Sequence, residues 1–590
     1  ILDVGTGSGC IGLTLALELA AARVVATDLS PGALAVAATN ARCLGVEDRV
    51  RLVATDLARG LDLTRFDLVV SNPPYVGHDE AEDLSPEVRC FEPATALFSP
   101  TDAHGVLERL LDELQPVKMG TPLVVEIGLG QSEKVQSLAS GSRFVLATIR
   151  PDYAGIPRVA IFHRISERRR VDRFRIQGPN RLAGTVRASG AKNAALPALA
   201  ASLLTDQPLE LVGLPRVRDI MTMRKLLDHL GVGGEEEGGA LRLVANDRAS
   251  TDDAPYELVK TMRASILVLG PLVARLGHAR VSLPGGCAIG VRPIDQHLAC
   301  LEALGAEVVL EHGYVTARAE RLVGARFRFS TPTVTGTENM LMAAVLARGT
   351  TVLENCAREP EVADLARLLT GMGAHIDGAG NETVVIEGVD GLAGTRHTVI
   401  PDRIEGGTYL IGAAITGGDI LLEGADAADL APLLEKLAET GCEIQDLPAG
   451  IHLRQQGELK PRDTVTAPHP GFPTDLQAQY MALMTQAQGG STICETIFEN
   501  RFQHVSELTR MGADIQVEGS YARIHGPSRL SSASVMATDL RASACLVLAG
   551  LVAHGETLVD RIYHLDRGYE RMELKLQKLG ARVERLGKGG

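Results

Sequence analysis

The sequence has no C-x-x-C pair among its nine cysteines, no apolar run long enough to cross a bilayer, and fewer basic than acidic residues. Each shortage excludes something. An odd number of scattered cysteines reads as reduced thiols and not as a disulfide framework, so a cytoplasmic protein is expected. The apolar stretch 264–274 is broken by Gly270 and Pro271, and no signal-peptide pattern opens the chain, so no membrane partner is expected. Lys and Arg total 59 against 73 Asp and Glu, and the net charge of −14 argues against broad, non-specific binding to nucleic acid or an anionic membrane. An anion site in such a protein must be a local pocket.

What is present suffices for several domains, because 590 residues exceed one hydrophobic core and 45% hydrophobic content supplies more than one. Up to about residue 165, short apolar strands (23–27, 66–71, 122–127) alternate with helical stretches, which predicts a doubly wound α/β domain over 1–165. Ile1 opens directly onto a strand and a glycine turn, so this domain is expected to lack its first elements. The charged run Ser166-Glu167-Arg168-Arg169-Arg170 has no apolar anchor and reads as a linker over 166–170, with a short nucleic-acid arm as the alternative.

Beyond the linker one phrase recurs, an apolar helix end, a glycine, then a strand: Leu230-Gly231-Val232, Leu304-Gly305-Ala306, Met372-Gly373-Ala374, Thr440-Gly441-Cys442, Met511-Gly512-Ala513 and Leu579-Gly580-Ala581. The spacing is roughly 70 residues, too long for a solenoid and suited to a compact helix-and-sheet unit. Six such units predict two lobes of three, with a cleft between them as the natural site.

Several segments carry chemistry. Pro284-Gly285-Gly286-Cys287-Ala288-Ile289-Gly290 is a glycine-rich loop with one thiol at its centre, and Arg292 is the nearest cation in sequence. Taken alone, a loop cysteine is more often inert; Cys300, Cys356 and Cys545 sit in apolar helical contexts and read as core. Ser189-Gly190-Ala191-Lys192-Asn193 places a lysine at a glycine turn running into a helix, an arrangement suited to phosphate. Arg263, Arg501, Arg541 and Arg567 each stand beside small or apolar residues, where a surface salt bridge is the plain alternative.

Together with Ala467-Pro468-His469-Pro470-Gly471-Phe472-Pro473-Thr474-Asp475, these segments resemble the UDP-N-acetylglucosamine 1-carboxyvinyltransferase family from about residue 171 to the C-terminus. The resemblance implies a two-lobed fold of six βαβαββ units, one lobe from 171–191 with 402–590 and the other from 192–401, exchanging chain near Asp402-Arg403. It implies that Lys192, Arg292 and Arg567 bind phosphoenolpyruvate and that Arg541 completes the cationic wall. It further implies that Asn193, Arg263, Asp475 and the segment Arg292, Pro293, Ile294, Asp295, Gln296 hold UDP-N-acetylglucosamine, with Ile497 near it and Arg501 supporting the cleft. Cys287 would protonate C3 of phosphoenolpyruvate and Asp475 would take the proton of the sugar 3′-hydroxyl. No metal or organic cofactor is implied. The sequence departs from some relatives at Pro332, where they carry a basic residue against the nucleotide. Asp475 also fits a helix N-terminal acid, and the two roles are compatible. The shikimate-pathway enolpyruvyl transferase is the rival within the fold, and it lacks the Pro-Gly-Gly-Cys loop.

In the smaller part, Gly5-Thr6-Gly7-Ser8-Gly9 follows an apolar strand, Asp28 ends the next strand and Asp56 a third, a pattern suited to a nucleotide-type cofactor or to plain strand-end capping. Asn72-Pro73-Pro74-Tyr75 fixes a loop whose amide and carbonyl groups suit a planar NH2 substrate. With Arg89-Cys90-Phe91-Glu92-Pro93 and Asp152-Tyr153-Ala154-Gly155-Ile156-Pro157-Arg158, these residues resemble the S-adenosylmethionine-dependent methyltransferases that modify a glutamine of peptide-chain release factors. The resemblance implies S-adenosylmethionine as cofactor, held by Gly5, Thr6, Gly7, Ser8, Gly9, Asp28, Asp56 and Asn72, and release factors as partners. That family's N-terminal helical domain is expected to be missing. A DNA adenine methyltransferase shares the Asn-Pro-Pro-Tyr logic but needs a basic reading surface, which the overall charge does not support.

Overall fold

The computed structural model describes every residue except 76–92, 98–104, 129, 132–134, 136–137, 139–143, 153–155, 165–171, 246–252, 260–261, 284–293 and 588–590. The chain folds as two compact units, Ile1–Arg170 and Val171–Gly590.

The first unit is built on a sheet of β1 (Leu2–Val4), β2 (Val24–Asp28), β3 (Val50–Ala54), β4 (Val69–Ser71), β5 (Pro122–Glu126), β6 (Phe144–Pro151) and β7 (Pro157–Arg164). Their order is β3-β2-β1-β4-β5-β7-β6, parallel through β5 and antiparallel thereafter. β1 and β4 are buried along their whole length, as strands covered on both faces must be. The chain leaves β1 for β2 on one side, while β4 pairs on the other. The loops after β1 and β4 therefore lie beside each other at a topological switch point, where open α/β sheets bind ligands. Those loops are 5–9 and 72–75.

Among its described residues the second unit holds six four-stranded sheets with one repeated pattern: a parallel pair at one edge, then two antiparallel pairings. All six recurring glycines have positive φ, from +87° at Gly231 to +105° at Gly373. Each follows a helix and donates back to its last turn, for example Gly373 N–H to the Thr370 carbonyl at 2.9 Å, while the next amide, of Ala374, reaches the Leu369 carbonyl at 3.0 Å. This is the glycine-capped helix end that the phrase implied; the left-handed conformation strains any residue with a side chain.

Three sheets surround each of two separate cores. One core runs from Ala191 to Val399, the other joins Phe174–Ala188 side chains to those between Ile404 and Val583. Helices Val334–Ala344, Arg403–Ile415, Gln477–Met484 and Leu540–Val552 are buried nearly all round, so the polar side chains they carry, such as Glu338, Glu405, Gln479 and Arg541, are buried with them. Strand Arg173–Gly178 completes the sheet of Gly555–Asp560 and Val583–Leu586, and strand Ala183–Arg187 joins that of Asp419–Glu423. The chain then crosses to the other lobe and returns beside its own outgoing path: Ala191 N–H donates to the Ile400 carbonyl at 2.7 Å and Asp402 N–H to the Ser189 carbonyl at 2.8 Å. At the crossing a Cβ on Gly190 would stand 1.8 Å from the Gly213 carbonyl oxygen, so only glycine fits.

Candidate functional site

The crossing sets the site. Helix Lys192–Ala201 starts immediately after it in one lobe, and helix Arg403–Ile415 starts after the return in the other. Asp402 joins the two starts: one oxygen caps Ile404 and Glu405, both at 2.9 Å, and the other accepts Lys192 N–H at 3.3 Å.

The Lys192 side chain is largely buried, with Nζ 3.5 Å from Asp219. Asp219 also receives Arg567 of the opposite lobe, Nε at 3.0 Å and Nη2 at 3.4 Å, so one carboxylate bridges cations of the two lobes. Burial lowers the Lys192 ammonium pKa, Asp219 opposes, and the nearby Arg541 and Arg567 add to the lowering.

The second half of the site comes from three chain segments. Asp475 stands in the 3₁₀ turn Thr474–Leu476; Arg541 lies in the first turn of Leu540–Val552, capped by Asp539; Arg501 follows the strand Gly489–Cys494. Asp475 Oδ1 accepts from Arg501 at 2.6 Å and Oδ2 from Arg541 at 2.8 Å. Burial by itself would raise the Asp475 pKa, but Arg541 and Arg501 overcome it and hold the carboxyl well below its usual range. Both arginines are buried. Four cations thus gather around two carboxylates in an acidic protein, leaving a local positive surplus that suits a compact multivalent anion.

The structure brings together Lys192, Asp475, Arg501, Arg541 and Arg567. Asn193 is half-buried beside Lys192, and Ile497 is half-buried in a loop tied to the Asp475 turn through Glu495, which accepts from Ile497 N–H at 2.8 Å and Thr474 Oγ1 at 2.8 Å. Arg263 opens the 3₁₀ helix Arg263–Val268, close enough to His297 to influence its ionisation. Ile294 packs on the core of that lobe and Asp295 is exposed. The Gln296 amide clamps the loop at 330–331, accepting Ser330 N–H at 2.7 Å and donating to Thr331 Oγ1 at 3.1 Å, next to Pro332. Cys287, Arg292 and Pro293 lie outside the described residues. Cys300, Cys356 and Cys545 are buried as core residues.

Sequence reasoning missed Asp219 and named Asp402 only as the place where the chain changes lobes; both pass for ordinary acids at helix starts. It also assigned nothing to Tyr569, two residues beyond Arg567. Only their cross-chain partners distinguish them.

In the first unit, the turn at 5–9 is wound around Asp3, whose Oδ2 accepts Thr6 Oγ1 at 2.6 Å and Gly12 N–H at 2.9 Å. Asp3 was another residue without a sequence signal. Gly5, Gly7 and Gly9 all have positive φ. Asp28 spans the turn, accepting Gly7 N–H and Ser30 N–H at 2.8 Å each, so backbone amides already engage both of its oxygens. Ser8 is exposed, and its carbonyl accepts the Asn40 amide at 2.9 Å. Asp56 pairs with Arg109 at 2.6 Å. Asn72 is exposed, Pro73 buried and Pro74 half-buried, while the Tyr75 carbonyl accepts Gln131 Nε2 at 2.8 Å and its hydroxyl reaches Glu126 at 3.4 Å. Among the described residues no helix is long and apolar enough to cross a membrane, and no cluster of His, Cys, Asp and Glu could hold a metal ion.

Comparison with known proteins finds relatives of both units. A family model described as EPSP synthase (3-phosphoshikimate 1-carboxyvinyltransferase) matches residues 176–576, and one described as methyltransferase small domain matches residues 1–99. The UDP-N-acetylglucosamine 1-carboxyvinyltransferase of Koribacter versatilis is 57% identical over 424 residues, covering 71% of this chain and 97% of the relative. That of Magnetococcus marinus is 56% identical over 423 residues, covering 71% of this chain and all of the relative. Among solved structures, the enolpyruvyl transferase NikO from Streptomyces tendae aligns with a TM-score of 0.63 at 27% identity, over 71% of this chain and 100% of that one. An EPSP synthase from Acinetobacter baumannii, at 18% identity and a TM-score of 0.55 over 70% of this chain and 100% of that one, shares the fold. The cross-lobe cation cluster, the six repeated units and these relatives lead to one statement: through its second unit, the chain belongs to the UDP-N-acetylglucosamine 1-carboxyvinyltransferase family of enolpyruvyl transferases.

Proposed function

We propose that the second unit transfers the enolpyruvyl group of phosphoenolpyruvate to the 3′-hydroxyl of UDP-N-acetylglucosamine and releases phosphate, the first committed step of peptidoglycan synthesis. The observation that carries this reading is the joining of Lys192 and Arg567 by Asp219, beside an Asp475 held by Arg541 and Arg501. Phosphoenolpyruvate carries a phosphate and a carboxylate, and its binding needs several fixed cations. Lys192, Arg567 and Arg541, with Arg292, take the two anionic groups. Asn193, Arg263, Asp475 and residues 292–296 hold the UDP-sugar, with Ile497 against it.

In this reaction the sugar oxygen bonds to C2 of phosphoenolpyruvate as C3 gains a proton. The tetrahedral adduct then loses that C3 proton and phosphate to leave an enol ether. Cys287 delivers and recovers the proton at C3. Asp475 accepts the proton of the 3′-hydroxyl, for which it must be ionised, the form its two arginines favour. Closure over the cleft excludes water. The reaction needs no metal or organic cofactor, and the protein works in the cytoplasm.

The test is phosphate release from phosphoenolpyruvate with UDP-N-acetylglucosamine and, separately, with shikimate 3-phosphate. Release with the first alone supports this reading; release with shikimate 3-phosphate alone favours the rival transferase. No release with either favours a non-catalytic binding protein.

For the first unit we infer S-adenosylmethionine binding at the switch point. The turn at 5–9, wound on Asp3 and closed by Asp28, supports it, and an exposed Asn72 is consistent with a release-factor glutamine as the methyl acceptor. Titration calorimetry with S-adenosylmethionine tests this; no heat at millimolar cofactor rejects it. Binding without methyl transfer to release factors leaves the transferase as the working half, and methyl transfer makes the chain bifunctional.

A further inference from the structure

Beneath the cation cluster lies a buried polar network that the reaction scheme does not use. The Tyr569 hydroxyl is 2.9 Å from Thr408 Oγ1, 3.2 Å from Gln479 Nε2 and 3.5 Å from Arg541 Nη1. Tyr569 is 2% exposed and Thr408 and Gln479 are 0% exposed, so no solvent competes for these groups. Gln479 Nε2 also reaches Thr408 Oγ1 at 3.1 Å and the Asp475 carbonyl at 3.0 Å. The network therefore touches Arg541 and Asp475, the two sides of one ion pair.

The proton directions can be assigned. Thr408 spends its hydroxyl proton on the Ile404 carbonyl, 2.8 Å away in its own helix, so toward Tyr569 it accepts. Tyr569 consequently donates to Thr408, and its lone pairs face the Arg541 and Gln479 N–H groups. The guanidinium carbon of Arg541 lies 5.8 Å from the tyrosine ring centroid, so the ring backs the same group that the hydroxyl steers. A tyrosine kept for packing alone would need only its ring. Here the hydroxyl faces Nη1 of Arg541 at 3.5 Å while Nη2 of the same group points at Asp475 at 2.8 Å.

We propose that Tyr569 is a positioning residue for Arg541, its hydroxyl anchored on Thr408 so that the guanidinium is presented to phosphoenolpyruvate in one orientation. The proposal rests on the enolpyruvyl-transfer reading above. Arg501 keeps its own hold on Asp475, so the sugar side of the site depends less on Tyr569.

The experiment is steady-state phosphate release by the full chain, with each substrate varied in turn. Tyr569→Phe is expected to raise the KM for phosphoenolpyruvate about tenfold, the scale of one hydrogen bond to a charged group, with the KM for UDP-N-acetylglucosamine within about twofold. Thr408→Val keeps the tyrosine and its packing while removing its anchor, and is expected to move the same constant the same way. Thr408→Ser restores an acceptor and is expected to bring the phosphoenolpyruvate KM back toward wild type. Should Tyr569→Phe fail to fold, the Val and Ser pair decides. Parallel changes in both KM values, no change in either, or a Ser variant as impaired as Val overturns the positioning role. A wild-type chain that releases no phosphate overturns the enolpyruvyl-transfer reading as well, whereas an active wild type with an unmoved phosphoenolpyruvate KM overturns this inference alone.

Discussion

Asp475 meets a different arginine on each oxygen, Arg501 at 2.6 Å and Arg541 at 2.8 Å. A carboxylate so held is ionised but weakly basic, and it becomes a better base once Arg541 turns part of its charge toward an anionic substrate. Binding of phosphoenolpyruvate would then prepare the group that deprotonates the sugar. Asp475→Asn is expected to lower kcat by at least about a hundredfold, the usual scale for a lost general base. Turnover within a few-fold of wild type would remove Asp475 from the proton transfer.

The buried thiols are poor nucleophiles. Burial pushes Cys356 up to about 12 and Cys442 up to about 11, and raises Cys300 and Cys545 further. On the enolpyruvyl-transfer reading the epoxide analogue fosfomycin is expected to alkylate Cys287 in preference to the exposed Cys10 and Cys43, read by peptide mass mapping, and Cys287→Ser to impair turnover while UDP-sugar binding stays nearly intact. An adduct on any other cysteine sinks the assignment.

The lobe crossing tolerates no side chain at Gly190, where a Cβ would collide with the Gly213 carbonyl. Gly190→Ala forces the paired segments at 189–191 and 400–402 apart and is expected to cost about 1–3 kcal/mol in urea unfolding of the second unit. An unchanged midpoint would mean that the crossing can relax.

His297 offers a pH test. It is buried, its Nδ1 accepts Asn339 Nδ2 at 3.1 Å, and Thr335 Oγ1 stands 3.5 Å from Nε2. Burial lowers its pKa from 6.5 to about 4; Arg263 adds to the shift and Asp295 opposes it. Between these values the unfolded chain binds the extra proton, so the stability contributed by neutral His297 is full above pH 6.5 and is lost toward pH 4. The stability difference between wild type and His297→Gln is therefore expected to shrink in wild type's disfavour as pH falls through that window. A difference that stays constant with pH would show that His297 takes up no proton on unfolding there.

Much of the architecture was legible in the residues. The six glycines announced helix ends because the left-handed turn that closes such an end penalises a Cβ, and that demand is local. The apolar strands of the first unit and the turn at 5–9 were readable for the same reason: alternation, burial and turn chemistry act within a few residues of chain. Lys192, Arg501, Arg541 and Arg567 could likewise be singled out from their surroundings, whereas Asp475 came only with the family resemblance.

What the linear order could not supply was which charge faces which. Asp219 and Arg567 stand 348 positions apart and meet at 3.0 Å. Arg541 reaches Asp475 across 66 positions. Asp28, which the sequence left between a cofactor-binding acid and a strand-end cap, is the clasp of its own glycine turn. An ion pair or hydrogen bond is decided by ångström distances and burial, which the folded chain sets by bringing distant segments together. The sequence by itself determined the units, their helix ends and the kinds of group the site contains. Only the tertiary structure decided that Asp219 bridges two cations, that Asp475 is shared by two arginines, and that Tyr569 stands behind one of them.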